Sequence, residues 1–199
     1  MKKNRIVSAL LIIVSFGSGS TILRGQNNAN GNFLSLEFGP SYTGSGDMLG
    51  RLLNVEYGIR MSKKFGVGVG VHTGIFPGGN FNNYYKEEHK ISGLDINTYC
   101  FPFSKSKKHA GFFISPGINF RQWNSYYQTG EINGFTLTRV PIEPNTIVME
   151  QIRRLGYNFL LGYRFRVTDA FAGQVRLGIQ NDIDGNIVSA VRFGLGYRF

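Results

Sequence analysis

Cysteine, histidine and long apolar runs are all scarce in this chain of 199 residues. Its single cysteine, Cys100, cannot form an intramolecular disulfide, and its 3 scattered histidines lack the spacing of metal ligands. After Phe16 no run approaches the roughly 20 apolar residues that a membrane-spanning helix needs. The sequence therefore excludes a disulfide framework and a helical membrane span beyond its first residues, and we predict no metal or other cofactor.

Acidic residues are also few. The chain has 12 aspartates and glutamates and 22 lysines and arginines, which gives a net charge of +10. Nucleic-acid binding would require these cations to cluster on one face. The lysines are instead spread over short segments that we interpret as turns: Lys63, Lys64, Lys105, Lys107 and Lys108. We therefore predict no nucleic-acid partner.

The start of the chain combines a basic end with an apolar run. Lys2, Lys3 and Arg5 precede the apolar segment 6–16, and small residues follow. This order is typical of a secretory signal peptide, which is too short to span a bilayer as a helix. We predict a signal peptide over residues 1–25, cleaved after Gly25, and a single exported domain over residues 26–199. No cysteine follows the apolar run, so a lipoprotein anchor is excluded.

Glycine and aromatic residues are abundant, and segment 186–199 shows how they are arranged. Alternate residues are large and apolar: Ile187, Val191, Phe193, Leu195, Tyr197 and Phe199. The residues between them are mostly small or charged: Val188, Ala190, Arg192, Gly194, Gly196 and Arg198. A period of two indicates a strand. A strand needs this division of side chains if one face meets lipid and the other lines a narrow polar lumen. We therefore predict that the segment is the closing strand of a transmembrane β-barrel.

Seven earlier segments alternate in the same way, each about as long as a tilted membrane strand. They cover residues 32–42, 51–61, 65–76, 90–103, 110–123, 153–167 and 171–180. The connections between them alternate between long and short, so both ends of the barrel fall on the side of the short turns, as in bacterial barrels. The sequence predicts an all-β protein, an eight-stranded antiparallel up-and-down transmembrane β-barrel.

Segment 90–103 leaves one question open. Its bulky residues change parity after Thr98, where Tyr99, Phe101 and Phe103 take the positions expected to face inward. Either a bulge near Thr98 shifts the register, or these rings plug the mouth of the barrel on the short-turn side.

The whole of residues 32–199 resembles the small outer-membrane β-barrel family of Gram-negative bacteria, which includes porin-like and PorT-like eight-stranded proteins and is similar in architecture to the OmpA membrane domain and OmpX. The resemblance depends on FGVGVGV at 65–71, NFLLGYRF at 158–165 and the ending GLGYRF. It implies an outer-membrane location. The terminal Phe199, preceded by Tyr197, also resembles the signal that such proteins present to the barrel-assembly machinery.

The lumen of an eight-stranded barrel is just wide enough for side chains to fill it, so charges inside it need partners. Counting from the short turns places Glu37, Glu56, Arg176 and Arg192 at mid-height, facing inward, on the first, second, seventh and eighth strands. These strands are neighbours only if the first pairs with the eighth. We predict that the four residues form an internal ion-pair network, because the arginine fork can bridge two carboxylates.

The longest connection, 124–150, offers a contact surface. We predict an outer-loop contact patch formed by Trp123, Tyr126, Tyr127 and Phe135. Its alternating stretch 134–141 is expected to extend the fifth and sixth strands as a ribbon above the membrane.

A lipid-modifying enzyme of this architecture needs a histidine beside a serine on its lipid-facing or rim surface. His72 is predicted to face the lumen, and His89 and His109 to lie in connections, so we predict no enzymatic activity. The preferred function is a structural or interaction module of the cell envelope. A narrow pore for ions or small solutes is the first alternative, and a lipid-modifying enzyme is the second. The expected partners are outer-membrane lipid, lipopolysaccharide and an envelope protein complex such as a secretion apparatus.

Overall fold

The computed structural model describes residues 31–44, 48–78, 87–103, 111–128, 130–132, 135–137 and 147–199. The predicted signal peptide and its cleavage site after Gly25 lie outside the described residues. The described strands are β1 (Asn32–Thr43), β2 (Met48–Arg60), β3 (Phe65–Pro77), β4 (Glu87–Cys100), β5 (Gly111–Gln128), β6 (Gly130–Ile132), β7 (Phe135–Leu137), β8 (Ile147–Arg166), β9 (Phe171–Asp182) and β10 (Ile187–Arg198). None of the described segments forms a helix with the length and hydropathy needed to cross a membrane.

Eight of these strands close into an antiparallel barrel in the order β1-β10-β9-β8-β5-β4-β3-β2, which confirms the predicted fold class. The closing pair is β1 with β10, and its register runs from Phe33 opposite Arg198 to Thr43 opposite Val188. At the end of this seam the backbone N–H of Phe199 donates to the carbonyl oxygen of Asn32 at 3.2 Å.

The two faces of the wall divide the side chains as the alternation predicted. The bulky residues Phe159, Phe193 and Tyr197 point outward and are 46%, 57% and 45% exposed. Arg176 and Arg192 point inward and are 0% and 2% exposed. An apolar outer wall around a charged interior is the reverse of a soluble protein and matches a wall that meets lipid.

β4 settles the open question of register. It pairs with β3 without interruption from Phe65 opposite Cys100 to Pro77 opposite Glu88, so there is no bulge near Thr98. Tyr99 and Phe101 are therefore buried inside the barrel at its short-turn end, as the plugging alternative required, whereas Phe103 is 78% exposed and does not join them.

β5 and β8 are longer than predicted, at 18 and 20 residues. They remain paired up to Gln128 opposite Ile147, well beyond the strand ends expected at 123 and 153. The predicted ribbon is therefore built from residues 124–128 and 147–152. The assignment of this ribbon to the stretch 134–141 is wrong for residues 135–137, which instead pair with β6 in a separate two-stranded sheet; the rest of that stretch lies outside the described residues.

Three tight turns are closed by a polar side chain that accepts backbone N–H groups. Ser62 Oγ accepts from the N–H of Phe65 at 3.0 Å, and Thr168 Oγ1 accepts from that of Phe171 at 3.0 Å. Between β9 and β10, Asp182 Oδ1 accepts from the N–H of Asn186 at 2.9 Å. Gly185 in that turn has φ +86°, a conformation that glycine adopts at little cost. These turns fix the strand register above and below the lumen.

Candidate functional site

The structure brings the four predicted lumen residues together, and Arg176 is at their centre. Its guanidinium forms two parallel contacts with the Glu56 carboxylate, Nη1 to Oε2 at 3.1 Å and Nη2 to Oε1 at 3.0 Å. Nη1 also lies 3.1 Å from Oε1 of Glu37. One arginine thus bridges two carboxylates, and all three side chains are buried. Bidentate pairing of this kind is strong and directional.

Arg192 completes the group through Glu37, whose Oε2 lies 3.6 Å from Arg192 Nε. Arg192 and Arg176 face each other directly across the β9–β10 ladder. Like charges in that position repel, so Glu37 between them offsets the repulsion. The position of Glu37 on β1, beside β10, depends on closure of the barrel.

Several neutral groups that the sequence did not assign to this network surround these charges. The Tyr99 hydroxyl donates to Glu56 Oε1, and Asn97 Nδ2 donates to Glu56 Oε2 at 3.0 Å. Gln174 connects both sides of the network, since its Nε2 donates to Glu37 Oε1 at 2.9 Å and its Oε1 accepts from Arg164 Nε at 3.2 Å. All of these residues have inward parity, which was the available signal, but parity alone does not identify hydrogen-bond partners.

Below this network, aromatic rings fill the short-turn mouth of the lumen. Phe33, Tyr99, Phe101 and Phe113 form one buried cluster. The Phe33 and Tyr99 ring centroids are 5.9 Å apart in an edge-to-face arrangement. Arginine guanidinium groups lie on these rings, with Arg164 Cζ 4.1 Å from the Phe33 centroid. This aromatic cap is apolar, closely packed and held by cation–π contacts.

Above the network lies a second polar layer centred on Asp95. His72 Nδ1 lies 3.0 Å from Asp95 Oδ2, and Asn158 Nδ2 donates to Oδ1 at 3.3 Å. Gln180 Nε2 lies 3.4 Å from both carboxylate oxygens. His72 faces the lumen, as its place in the alternation indicated, and its buried ring pairs with a carboxylate rather than a serine.

A second apolar group closes the lumen near the long loops. Met48, Phe76, Ile91 and Val188 form a buried cluster against which Trp123 packs. The Trp123 and Phe76 rings are stacked, with centroids 6.3 Å apart and planes inclined by 8°. We call this group the loop-side cap, and it lies at the opposite end of the lumen from the aromatic cap.

His89 belongs to β4 and points inward beneath Trp123, which corrects its assignment to a connection. Its Nδ1 lies 2.8 Å from Ser125 Oγ and also accepts from Trp123 Nε1 at 3.0 Å. Because an indole N–H can only donate, Nδ1 is the unprotonated nitrogen, and the Ser125 hydroxyl donates to it. The Nδ1 lone pair of His89 thus accepts from two donors in a packed interior, which holds the His89 and Trp123 rings in position. A catalytic base needs an accessible nucleophile instead.

Asp182 is the fourth described carboxylate buried in the lumen, after Glu37, Glu56 and Asp95. Its Oδ2 lies 3.2 Å from Arg154 Nη1 and 3.7 Å from Arg121 Nη2. The sequence assigned Asp182 to a connection, whereas it ends β9 with its side chain directed inward. It thereby ties the β9–β10 turn to β5 and β8.

The structure separates Trp123 from Tyr126, two of the four residues of the predicted contact patch. Trp123 faces the lumen, whereas Tyr126 lies on the outer face of β5, where the Lys90 ammonium is 5.0 Å from its ring centroid. Tyr127 lies in β5 and Phe135 in β7, but their side chains are outside the described part of the structure. Trp123 and Tyr126 therefore do not share a surface.

The described residues contain no group of three or more His, Cys, Asp or Glu side chains that could hold a metal ion. Each described carboxylate of the lumen is instead paired with arginine, histidine or amide groups.

No family model and no curated protein matches the chain. Solved structures do match it. Ail, the attachment invasion locus protein of Yersinia pestis, crystallised with the heparin analogue sucrose octasulfate, has a TM-score of 0.56 at 14% identity and covers 85% of this chain and 99% of its own. Neisserial surface protein A has a TM-score of 0.52 at 9% identity, over 86% of this chain and 98% of its own. OprG from Pseudomonas aeruginosa has a TM-score of 0.52 at 9% identity and covers 88% of this chain and 98% of its own.

At these identities the likeness concerns the fold. The chain has the fold of the small eight-stranded outer-membrane β-barrels, and the resemblance expected from its sequence is confirmed at that level.

Proposed function

We propose that this protein is an integral outer-membrane barrel with a closed lumen, and that it acts as a structural or interaction module of the cell envelope without enzymatic activity. In this proposal residues 1–25 direct export and are removed, and residues 26–199 are inserted by the barrel-assembly machinery. Lipopolysaccharide and an envelope protein complex are the proposed partners.

The filled lumen is the observation that carries the proposal. The aromatic cap closes the short-turn mouth, the loop-side cap closes the other, and the Glu37–Glu56–Arg176–Arg192 network crosses the space between them. A conducting pore needs a continuous hydrated path through the lumen, and each of these three layers obstructs such a path. This favours the interaction module over the narrow pore.

We propose that the protein lacks enzymatic activity because its hydrogen-bonded serine–histidine pair is buried. Ser125 and His89 are the described serine–histidine pair in which a hydroxyl donates to a ring nitrogen, and both are buried beneath Trp123. A lipid ester would have to displace the loop-side cap to reach Ser125. We therefore assign the pair a packing role.

The contact surface is proposed to be the ribbon formed by the upper parts of β5 and β8. Tyr126 presents its ring on the outer face of this ribbon beside Lys90, whose Nζ lies 2.7 Å from Glu88 Oε1. Protein contacts are enriched in aromatic residues and have a polar, solvent-accessible rim. Tyr127 and Phe135 remain candidates by their positions along the chain.

Recording from planar bilayers tests the closed lumen. Purified full-length protein, shown to be folded by its heat-dependent gel mobility, is expected to insert without producing unitary currents. The matched control truncates both caps and the bridge together, Phe101→Ala, Phe113→Ala, Trp123→Ala and Arg176→Ala, and is expected to conduct. Stable openings of the unaltered protein would favour the narrow pore.

A further inference from the structure

Arg51 is an unusual residue of the outer wall. It is exposed on the lipid-facing side of β2, in register with Pro40 of β1 and Ile75 of β3. The other outward-facing cations of the described barrel strands have polar partners: Lys90 contacts Glu88, and Arg153 Nε donates to Gln122 Oε1 at 3.2 Å. Within the described part of the chain, no ion pair or hydrogen bond engages the Arg51 side chain. A cation on an apolar wall without a partner calls for an anion from the surroundings.

A groove of about 740 Å³ surrounds this arginine on the outside of the barrel. Its apolar lining consists of Phe38, Pro40, Leu49, Leu53, Ile75 and Pro77, and we call it the Pro40 groove. Phe38 and Leu53 face each other across β1 and β2, two residues nearer the short turns than Arg51. The groove thus extends below the guanidinium, toward the middle of the membrane.

The height of Arg51 places it where lipid headgroups begin. It is nine residues from Arg60, the short-turn end of β2. A strand tilted by about 40° rises roughly 2.5 Å per residue along the barrel axis, which puts Arg51 about 23 Å from that end. The apolar band of such barrels is roughly 25 Å tall, so Arg51 lies at its loop-side edge. An arginine there can direct its guanidinium to the headgroup layer while its methylene groups remain on the wall.

We infer that Arg51 and the Pro40 groove form a binding site for one lipid A molecule of the outer leaflet, with a lipid phosphate on Arg51 and an acyl chain along Phe38 and Leu53. The inference rests on the outer-membrane function proposed above. The long loops of such barrels face outward, and the phosphorylated, acylated glycolipid of that leaflet supplies the anion and the hydrocarbon together. Charge complementarity selects this occupant over a second copy of the chain, which would place one Arg51 against another.

Native mass spectrometry of the full-length protein in an uncharged detergent tests the site. The probes are bis-phosphorylated hexa-acyl lipid A, the same lipid A without its phosphates, and phosphatidylglycerol. We expect the unaltered protein to retain one bis-phosphorylated lipid A. Arg51→Gln is expected to weaken this binding about tenfold or more, since a charge-assisted hydrogen bond is lost. Arg51→Lys is expected to keep most of the affinity.

Arg153→Gln is the matched control, because Arg153 also faces outward but lies outside the Pro40 groove, and it should leave lipid A binding unchanged. Equal affinity of the unaltered protein and Arg51→Gln would overturn the site. So would equal binding of dephosphorylated lipid A or of phosphatidylglycerol, and so would a dimer that Arg51→Gln dissociates. A folded, non-conducting protein that retains no lipid A would refute this inference alone, whereas unitary currents would refute the proposed function.

Discussion

At the residue scale, Glu37 and Glu56 explain how two arginines can share a lumen barely wider than their side chains. Arg176 and Arg192 stand opposite each other on adjacent strands, yet neither can turn toward water. Each glutamate reaches Arg176 from a different strand, so the charges of β1, β2, β9 and β10 balance across the barrel rather than along one strand. The buried charges therefore specify which strands are neighbours.

Glu56→Gln tests this balance because it keeps the shape of the side chain and removes its charge. Arg176 would then retain Glu37 as its carboxylate partner. We expect a loss of about 3–5 kcal/mol in the free energy of unfolding, as for breaking one side of a buried ion pair. Urea unfolding in lipid vesicles, followed by the fluorescence of Trp123, measures it. Trp123 is the only tryptophan of the chain, so the signal has one source.

Two further variants separate charge pairing from other effects. Glu88→Gln removes a carboxylate from the surface pair with Lys90, and we expect a change of less than about 1 kcal/mol. Replacing both partners, Glu56→Leu with Arg176→Leu, is expected to recover most of the stability lost in Glu56→Gln, because no unpaired charge remains. Unfolding of Glu56→Gln at the same urea concentration as the unaltered protein would show that the network does not stabilise the barrel.

The inward placement of Glu37, Glu56, Arg176 and Arg192 was predictable from the sequence because two simple measures suffice for it. Parity along each strand gives the inward face, and counting from the short turns gives the height. The partners Tyr99, Asn97 and Gln174 were not predictable in the same way, because a hydrogen bond depends on the stagger between strands and on side-chain rotamers. Neither quantity is contained in the pattern of a single strand.

At the element scale, β3 shows why small residues alternate with valine. Its inward positions include Gly66, Gly68 and Gly70, which face the side chains of neighbouring strands. A Cβ atom on Gly68 would lie 2.9 Å from Cε2 of Tyr99 and 3.2 Å from the carboxyl carbon of Glu56. The glycine therefore leaves the space in which these two side chains meet.

Gly68→Val is expected to destabilise the barrel by about 1–3 kcal/mol through overpacking of the lumen. Val69→Leu on the same strand enlarges an outward side chain that meets lipid, and we expect a change within about 0.5 kcal/mol. Urea midpoints in vesicles of one lipid composition compare the two variants. The packing account fails if Gly68→Val unfolds no more easily than Val69→Leu.

The lengths of β5 and β8 show which structural boundary the apolar–polar alternation of the sequence reflects. In this barrel apolar residues alternate with polar ones where the outer face meets lipid, and the outward positions of the ribbon include Asn124 and Gln151. The predicted strands ended where the apolar pattern ended, although backbone pairing continues to Gln128 and Ile147. Sequence pattern thus located the boundary of the membrane on these strands rather than the ends of the strands. His89 and Asp182 were assigned to connections for the same reason.

At the scale of the whole molecule, the barrel is a protein whose core carries buried charges and whose outer wall is apolar. Adjacent residues at one depth should therefore report opposite environments. Phe33 is buried against Arg164, and its neighbour Leu34 is exposed on the outer wall.

A pair of tryptophan variants in a Trp123→Phe background tests this division. Leu34→Trp is expected to lose most of its fluorescence in vesicles of lipids with brominated acyl chains, because its indole meets those chains. Phe33→Trp, where Arg164 can stack on the indole, is expected to lose little. The depth of the two residues is matched, so equal quenching of both would contradict the assignment of the inner and outer faces.

The seam between β1 and β10 has a consequence for biogenesis. β10, which completes the ring, is the last of the described barrel strands along the chain, and its partner β1 is the first. Until β10 pairs with β1, two strand edges with unsatisfied backbone groups stay open, and such edges promote aggregation. Contacts between the two ends of the chain also make folding slow. Under the proposed outer-membrane function, we therefore expect the chain to need protection from aggregation until β10 is available to pair with β1.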